Sequence, residues 1–193
     1  MKQGVLITGA SSGLGIHLSN KFESEGHRVL RHNGRKDYDL SSTEDVYKLA
    51  NKAKNENVKI LINNAAITCP SILFDDYDDK LINNMIDVNL RAPILLTYFL
   101  MDSLTDIINI NSMVGLEIKK PRTMYSATKW GLRGFSNSLK FENQMINILD
   151  VYPTNIKTKP NIINAMDVDL VVDRIYESFD RKEKELILDG RKK

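Results

Sequence analysis

Short, continuous apolar runs alternate along the chain with longer segments in which apolar residues recur every three or four positions. The runs predict strands buried on both faces; they read GVLITG, HRVLRH, VKILINN, DIININ, MINILDVYP and, as a possible sixth strand, ELILDG. The longer segments predict amphipathic helices. We place these at LGIHLSNKFESEG, from Ser42 to about Asn55, from about Asp79 to Met101, from YSATK to about Asn143, and from about Asp169 to Phe179. The alternation indicates an α/β fold, a Rossmann-type doubly wound parallel sheet with helices on both faces in three αβα layers.

Length and composition favour one domain spanning residues 1–193. Hydrophobic residues make up 42% of the chain and charged residues 27%, and the formal net charge of +2 argues against nucleic acid or a membrane as a partner. We see no secretory signal and no apolar run near the ~20 residues that a membrane span needs, so we expect a cytoplasmic protein. Cys69, the single cysteine, excludes an internal disulfide. We interpret it as a packed residue, with a nucleophile as the alternative.

Three glycines follow the first strand in TGASSGLG, with the spacing G-x-x-x-G-x-G. Gly9 allows a sharp turn, and Gly13 and Gly15 allow the backbone and the helix to approach a ligand closely. The helix that follows offers free N–H groups and a positive dipole end to a pyrophosphate. The pattern predicts a dinucleotide site, with a glycine-rich turn that binds nothing as the alternative.

The segment YSATK places Tyr125 and Lys129 four residues apart, on one face of a predicted helix. A tyrosine has an ordinary pKa of about 10, and a neighbouring ammonium favours the phenolate and lowers that pKa. The spacing therefore predicts a tyrosine that serves as an acid–base group. The alternative is chance, because YxxxK is a frequent pattern.

Other polar residues directly follow predicted strands, at the end of the sheet where ligands gather in doubly wound folds. These are Asn63 in NNAA, Ser112 in INSMVG and the loop after Pro153 in YPTNIKT, while Asn89 lies within the helical segment DVNL. Each of them alone also fits a structural role, such as an asparagine turn, a cap, a proline-stopped loop or an exposed helix face.

Taken in this order, the motifs TGASSGLG, NNAA, DVNL, INSMVG, YSATK and YPTNIKT resemble those of the short-chain dehydrogenase/reductase family, from about residue 3 to residue 160. The glycine spacing is similar to that of the ordinary reductase branch. The resemblance implies an NAD(P)H-dependent oxidoreductase that acts on CH–OH or C=O groups. It assigns proton donation to Tyr125 and stabilisation of the carbonyl oxygen to Ser112. Lys129 would tune the tyrosine and bind the cofactor ribose, and Asn89 would hold a water of a proton relay.

The resemblance also implies which residues bind the cofactor besides Tyr125 and Lys129. They are Gly9, Ser11, Ser12, Gly13, Leu14 and Gly15 around the phosphates, Asp39, Leu40, Asn63 and Ala65 along the adenosine, and Pro153, Ile156 and Thr158 towards the carboxamide.

The second strand ends in RHNGRK, with no acid before Asp37, whereas NAD-preferring folds place an acid there on the ribose hydroxyl. We therefore expect NADP(H) rather than NAD(H), with Arg35 on the 2′-phosphate and Arg31 or Lys36 as a second partner. The alternative is that these are surface charges.

The chain also departs from the family pattern. Only a few residues separate the second strand from Asp39, whereas a parallel crossover needs a dozen or more. We therefore predict that the usual third strand and its preceding helix are missing or vestigial, which leaves about six strands in place of seven. The segment after Thr158 is too short for a full helical lid, so we expect an open site or one completed by a partner subunit. Ala66 and Thr154 stand where glycine is usual.

The substrate is not identified by these motifs beyond a small carbonyl or alcohol compound. A basic rim near the expected mouth favours an anionic substrate, or is simply solvated, and consists of Lys119, Lys120, Arg122, Lys157 and Lys159. The acidic run DDYDD suits the N-terminus of the long helix. The three histidines, His17, His27 and His32, lack metal-ligand spacing, and we predict no metal.

Family members usually pair through the long helix and the YSATK helix, so the resemblance implies a homodimer or homotetramer in which Trp130, Phe135 and Leu139 contribute. Two alternatives to an NADPH-dependent carbonyl reductase stay open. One is an NAD-preferring alcohol dehydrogenase, and the other is a non-catalytic NADP(H)-sensing binding protein on the same scaffold. The retained Tyr125 argues against a sensor, which has no chemical need for the phenol.

Overall fold

The computed structural model describes residues 2–68, 72–159, 162 and 164–191. Its strands are β1 (Gly4–Ile7), β2 (Arg28–Arg31), β3 (Val58–Asn63), β4 (Asp106–Ile110), β5 (Asn147–Pro153), β6 (Ile156–Lys157), β7 (Met166–Asp167) and β8 (Glu185–Leu188). Six of these strands form one sheet in the order β2-β1-β3-β4-β5-β8. All neighbours in it are parallel. Each apolar run of the sequence therefore forms a strand, and the predicted doubly wound sheet is confirmed.

The helices are α1 (Gly13–Ser24), α2 (Thr43–Asn55), α3 (Asp79–Ile86), α4 (Ala92–Leu100), α5 (Thr123–Glu142) and α6 (Val168–Asp180). A π-helical turn, Asp87–Arg91, joins α3 to α4 without a break, so the long predicted helix is present. Side chains cap the N-termini of two of the predicted helices. The Ser42 hydroxyl accepts the Asp45 N–H, and the Asp78 carboxylate accepts the Leu81 N–H at 2.6 Å.

The predicted loss of the family's third strand is confirmed. The chain leaves β2 at Arg31, runs through residues 32–42 without a strand and enters α2 at Thr43. Because this connection is too short for a crossover, β2 forms the edge of the sheet. The chain then returns to the other side of β1 to form β3, which makes β1 and β3 the point where the winding of the sheet reverses.

The two faces of the sheet bury separate apolar layers because alternate residues of a strand point to opposite sides. On β1, Val5 and Ile7 pack against α1 and α6, whereas Leu6 packs against α2, α4 and α5. The three-layer prediction is therefore confirmed. Leu139, expected at a dimer surface, is instead buried in the second layer, because its position on α5 faces the sheet.

A buried polar ladder crosses three neighbouring strands on the α5 face of the sheet. Asn63, Asn109 and Asp150 are paired in register on β3, β4 and β5. Asp150 is fully buried, and its carboxylate accepts hydrogen bonds from the Ser136 hydroxyl at 2.6 Å and from the Lys140 ammonium at 2.6 Å. Helix α5 is therefore fastened to the sheet by a satisfied buried ion pair.

The segment between β5 and α6 contains only the short parallel pair β6 and β7. No helix is formed by the described residues between Lys157 and Met166, in agreement with the short lid expected from the sequence. Cys69 lies outside the described residues. Within the described part of the chain, none of the helices combines the length and the apolar character needed to cross a bilayer.

Candidate active site

A cavity of about 770 Å³ opens at the carboxyl ends of the strands, where the winding of the sheet reverses. Its walls come from the loops that follow β1 to β5 and from the first turns of α5. Among the residues predicted for the site, it is lined by Gly9, Ser11, Ser12, Gly13, Leu14, Arg35, Asp39, Leu40, Ala65, Ser112, Tyr125, Lys129, Pro153, Ile156 and Thr158. Gly15, Asn63 and Asn89 do not line it.

The glycine-rich turn has the shape that its sequence requires. Gly9 and Gly13 have φ angles of +67° and +57°, in the left-handed region that favours glycine. A Cβ on Gly9 would lie 3.0 Å from Ala65 Cα. A Cβ on Gly15 would lie only 2.1 Å from the Gly9 carbonyl oxygen. Gly15 therefore serves the packing of α1 against this turn, and its predicted contact with a ligand stays a prediction.

The N-terminus of α1 faces this part of the cavity. Ser12 occupies the N-cap position but makes no side-chain cap bond, and Ser11 and Ser12 are both exposed. The first turn of α1 contains no acidic residue. Because the early N–H groups of a helix lack intrahelical partners, this wall has the donors that a pyrophosphate needs. The residues present therefore fit a dinucleotide cofactor.

Two residues not singled out from the sequence hold the glycine-rich turn in place. The Thr8 hydroxyl accepts the N–H groups of Asn64 and Ala65, both at 3.0 Å. The Asn64 amide donates to the Thr8 carbonyl at 2.8 Å. The loops after β1 and β3 are therefore tied together across the reversal point. NNAA was a weak signal for these contacts, because either asparagine could have pointed at the cavity.

His32, at the end of β2, is a third such residue. Its ring Nδ1 accepts the Gly9 N–H at 3.2 Å, while Nε2 donates to the Tyr38 carbonyl at 2.9 Å. The ring thus connects the glycine-rich turn to the loop that carries Arg35. The sequence offered no signal for this role beyond the position of His32 after a strand.

The Asn63 side chain lies elsewhere than the sequence predicted. It is 3% exposed and donates to Asn109 Oδ1 on the neighbouring strand at 2.9 Å. Because it faces α5 within the polar ladder, it does not reach the adenosine side of the cavity. The neighbouring Asn64 and Ala65 line that side instead.

The adenosine end of the cavity contains Arg35 and Asp39, whose side chains form an ion pair at 3.0 Å. Partial burial opposes ionisation of Asp39. Hydrogen bonds from Ser41 and the charge of Arg35 nevertheless keep the pKa of Asp39 below its ordinary value. Arg31, considered as a second phosphate partner, binds Glu23 at 2.7 Å instead and does not line the cavity.

The catalytic candidates lie on α5 and on the turn after β4. The Ser112 hydroxyl lies beside the Tyr125 hydroxyl and favours the ionised form of the tyrosine. The Lys129 ammonium donates to the Ile110 carbonyl at 2.8 Å and lies 5.6 Å from the centre of the Tyr125 ring. The structure therefore brings these three predicted residues together at one wall of the cavity.

The acid–base properties of this group differ from the sequence-based prediction. Burial raises the pKa of Tyr125, and the nearby Ser112 hydroxyl and the Arg122 charge only partly oppose this effect. Burial also lowers the pKa of Lys129 to about 8. The pKa of Tyr125 is therefore not lowered as the sequence predicted, because desolvation outweighs the effects of Ser112 and Arg122.

Asn89 lies in the π-helical turn and is 1% exposed. Its side chain accepts the Ile67 N–H at 2.7 Å and donates to the Ile67 carbonyl at 3.0 Å. It also donates to the Thr128 hydroxyl at 3.3 Å. Asn89 thus connects the loop after β3 to α5 one residue before Lys129. Its predicted role in holding a water stays a prediction.

The mouth of the cavity is bordered by the C-terminal segment. The Gly190 N–H donates to the Thr154 hydroxyl at 2.9 Å, so the threonine found in place of a usual glycine anchors this segment. Arg191 then forms an ion pair with Glu117 at 2.6 Å. Of the predicted basic rim, Lys119 and Arg122 line the cavity. Three further members do not, namely Lys120, Lys157 and Lys159.

Among the described residues, no three His, Cys, Asp or Glu side chains are placed to hold a metal ion together. The polar groups of the cavity are instead hydroxyls, amides, arginines and lysines. Such a set suits the phosphates and hydroxyls of a nucleotide and the oxygen of a carbonyl group.

The comparisons with known proteins agree with this geometry. A family model described as short chain dehydrogenase matches residues 35–165. A 3-oxoacyl-(acyl-carrier-protein) reductase of Rickettsia prowazekii is 28% identical, over 95% of this chain and 78% of the relative. A bulky-bulky ketone specific alcohol dehydrogenase of Comamonas testosteroni superposes with a TM-score of 0.86 at 27% identity, over 96% of this chain and 85% of that chain. A short-chain dehydrogenase of Sphingobium yanoikuyae in complex with NADPH superposes with a TM-score of 0.82 at 25% identity, over 96% and 87%.

Proposed function

Because the chain belongs to the short-chain dehydrogenase/reductase family, we propose that it reduces a carbonyl group, or oxidises the corresponding alcohol, with Tyr125 as the acid–base group. One observation supports this assignment above the others. Tyr125 and Ser112 line the same cavity, close enough for Ser112 to act on the Tyr125 hydroxyl, and the dinucleotide-binding turn borders that cavity as well.

The nicotinamide, when bound, supplies the hydride that reduces the carbonyl carbon. Tyr125 transfers its phenolic proton to the carbonyl oxygen, which completes the alcohol and leaves a phenolate on the protein. The raised pKa of Tyr125 suits this direction, because it keeps the phenol protonated near neutral pH. Ser112 hydrogen-bonds the same oxygen and stabilises the negative charge that develops there.

Lys129 acts on the tyrosine from the face of its ring. Its ammonium is fully buried and is fixed by the bond to the Ile110 carbonyl. In a site of low dielectric, this cation stabilises the phenolate that forms when Tyr125 gives up its proton. Asn89 positions Lys129 indirectly, since it fastens the Ile67 peptide to the preceding residue of α5.

We further propose that NADP(H) is preferred over NAD(H). Arg35 lines the cavity after β2, with its side chain 62% exposed, and can rotate towards a 2′-phosphate. The solved Sphingobium relative in complex with NADPH supports the same choice. The ion pair between Arg35 and Asp39 weakens the preference for NADP(H), because a phosphate must compete with the Asp39 carboxylate for the guanidinium.

The experiment that tests the function measures consumption of NADPH and NADH with a panel of aldehydes and ketones. Tyr125→Phe is the variant, and Tyr47→Phe is its control, because Tyr47 is exposed on α2 and does not line the cavity. We expect Tyr125→Phe to lose at least about a hundredfold in kcat while it retains cofactor binding. Tight NADPH binding by the wild type without turnover of any carbonyl would instead support a cofactor-sensing protein.

We also propose that two chains associate through α4 and α5. Tyr98 and Trp130 are large side chains on these helices, 71% and 43% exposed, and large exposed aromatic residues are typical of interaction surfaces. The mass in solution, measured by light scattering, should be that of a dimer or tetramer. Trp130→Glu should shift it towards the monomer, whereas a monomeric wild type would contradict this association.

A further inference from the structure

The carboxylates that line the cavity are both neutralised by arginines. Asp39 pairs with Arg35 at 3.0 Å at the adenosine end. Glu117 pairs with Arg191 at 2.6 Å at the mouth. Neither acid is therefore left to offset the other positive charges of the cavity.

Three cations of the cavity wall remain after these pairs. Lys129 is buried beside Tyr125, as described above. Lys119 and Arg122 lie on the segment that leads from the 3₁₀ turn after Ser112 to the start of α5. Neither forms an ion pair with any residue in the described part of the chain. Arg122 lines the cavity together with Tyr125, three residues further along the chain, and its charge acts on the Tyr125 hydroxyl. The carbonyl of the proposed substrate would bind at that hydroxyl.

Glu117 lies close to these two cations in the sequence, but it is paired with a third cation. Glu117 is only five residues from Arg122 and lines the same wall. It is held by Arg191, whose own position depends on the bond between Gly190 and Thr154. The C-terminal segment thereby supplies the cation that pairs with Glu117.

We propose that Arg122, assisted by Lys119, binds an anionic group of the substrate, so that the substrate is an aldehyde or ketone that carries such a group, most simply a carboxylate. The proposal rests on the carbonyl reductase function assigned above. The planar guanidinium of an arginine suits two-point binding of a carboxylate. A neutral substrate would leave this partly buried cation without a partner, and that costs free energy.

The kinetic test compares 4-formylbenzoate with methyl 4-formylbenzoate, which present the same aldehyde with and without a negative charge. The wild type should show the higher kcat/KM with the acid. Arg122→Gln should reduce this preference about tenfold, mainly through KM, since a charge-assisted hydrogen bond contributes about that factor. Arg122→Lys should retain part of the preference. Lys157→Gln is the matched control, because Lys157 is a nearby cation that does not line the cavity.

A binding measurement separates this proposal from the function on which it rests. Calorimetry of the NADP⁺-saturated protein should show 4-methylbenzoate binding more tightly than 4-methylbenzamide, with the difference lost in Arg122→Gln. If this holds while no carbonyl is reduced, the reductase assignment fails and the anion site stands. If carbonyls are reduced, but the wild type shows no preference for the acid or Arg122→Gln leaves it unchanged, the anion site is overturned.

Discussion

The Lys129 ammonium lies 5.6 Å from the centre of the Tyr125 ring, and its hydrogen bond goes to the backbone carbonyl of Ile110. The cation therefore contacts the face of the aromatic ring. Both side chains are buried, at 2% and 8% exposure, and burial disfavours the charged form of each. The pair is held in a state that costs folding free energy, and this cost can be measured.

We predict that Lys129→Met increases the free energy of unfolding near pH 7 by about 2 kcal/mol while it removes activity. The pKa of Lys129 is about 8 in the fold, against an ordinary value of 10.5. Keeping the ammonium charged inside the protein costs about 3 kcal/mol. The variant avoids this cost but loses the hydrogen bond to the Ile110 carbonyl, which contributes about 1 kcal/mol. Urea unfolding measures the difference.

The stability of the wild type relative to Lys129→Met should also depend on pH, with a definite sign. Between about pH 8 and pH 10.5 the unfolded chain keeps the Lys129 proton while the folded chain has lost it. Stability of the wild type therefore rises with pH across that range, relative to the variant. Lys140→Met is the control, because it leaves the buried Asp150 without its cation and should destabilise by about 3–5 kcal/mol. A Lys129→Met variant that is less stable than the wild type at pH 7 contradicts the prediction.

The rate of carbonyl reduction should fall as pH rises through about 8. The cause is loss of the Lys129 charge, whose pKa is about 8. Ionisation of Tyr125 is not the cause, because burial raises its pKa. Steady-state kcat measured against pH should show this inflection, and Lys129→Arg should remove it from whatever activity remains, since arginine stays charged. An inflection that persists in Lys129→Arg would assign it to another group.

Two helical glycines should respond in opposite ways to the same substitution. In Gly15→Ala, the new Cβ would lie 2.1 Å from the Gly9 carbonyl oxygen and 2.6 Å from Asn64 Nδ2. We expect a loss of about 2–3 kcal/mol and weaker cofactor binding, because the glycine-rich turn must shift. In Gly134→Ala, the Cβ meets no atom within 4 Å, so helix propensity should stabilise the protein by about 0.5–1 kcal/mol. Thermal unfolding of both variants tests the pair, and equal effects would refute the tight approach of α1 to the turn.

Arg35→Ala should weaken NADPH binding about tenfold and leave NADH binding largely unchanged. The substitution removes the guanidinium and also frees the Asp39 carboxylate, whose lowered pKa keeps it charged and repulsive towards a phosphate. Arg31→Ala is the control, because Arg31 is engaged with Glu23 and Asn20. Fluorescence titrations with both cofactors measure the preference. If both variants weakened NADPH binding equally, the preference would come from the overall charge of the protein and not from Arg35.

Much of the fold could be predicted because it depends on local patterns. The apolar runs form strands, and α2 and α3 begin where the sequence placed them, next to Ser42 and at the end of the acidic run DDYDD. Even the missing third strand followed from the few residues between β2 and Asp39, because chain length alone limits a crossover. The place of Ser112 at the mouth of the sheet was also predictable, since the carboxyl ends of parallel strands meet at one edge. Its grouping with Tyr125 and Lys129 was implied by the resemblance to the family motifs.

The sequence by itself thus determined the order of the elements and the place of the cavity. Tertiary structure alone decided which way Asn63 points, that His32 holds the turn at Gly9, and which members of the basic rim line the cavity. It also decided the direction of the Tyr125 pKa shift. The physical reason is common to all of these: burial and side-chain direction arise from packing between segments distant in the sequence. A local pattern records neither the desolvation nor the partners that such packing creates.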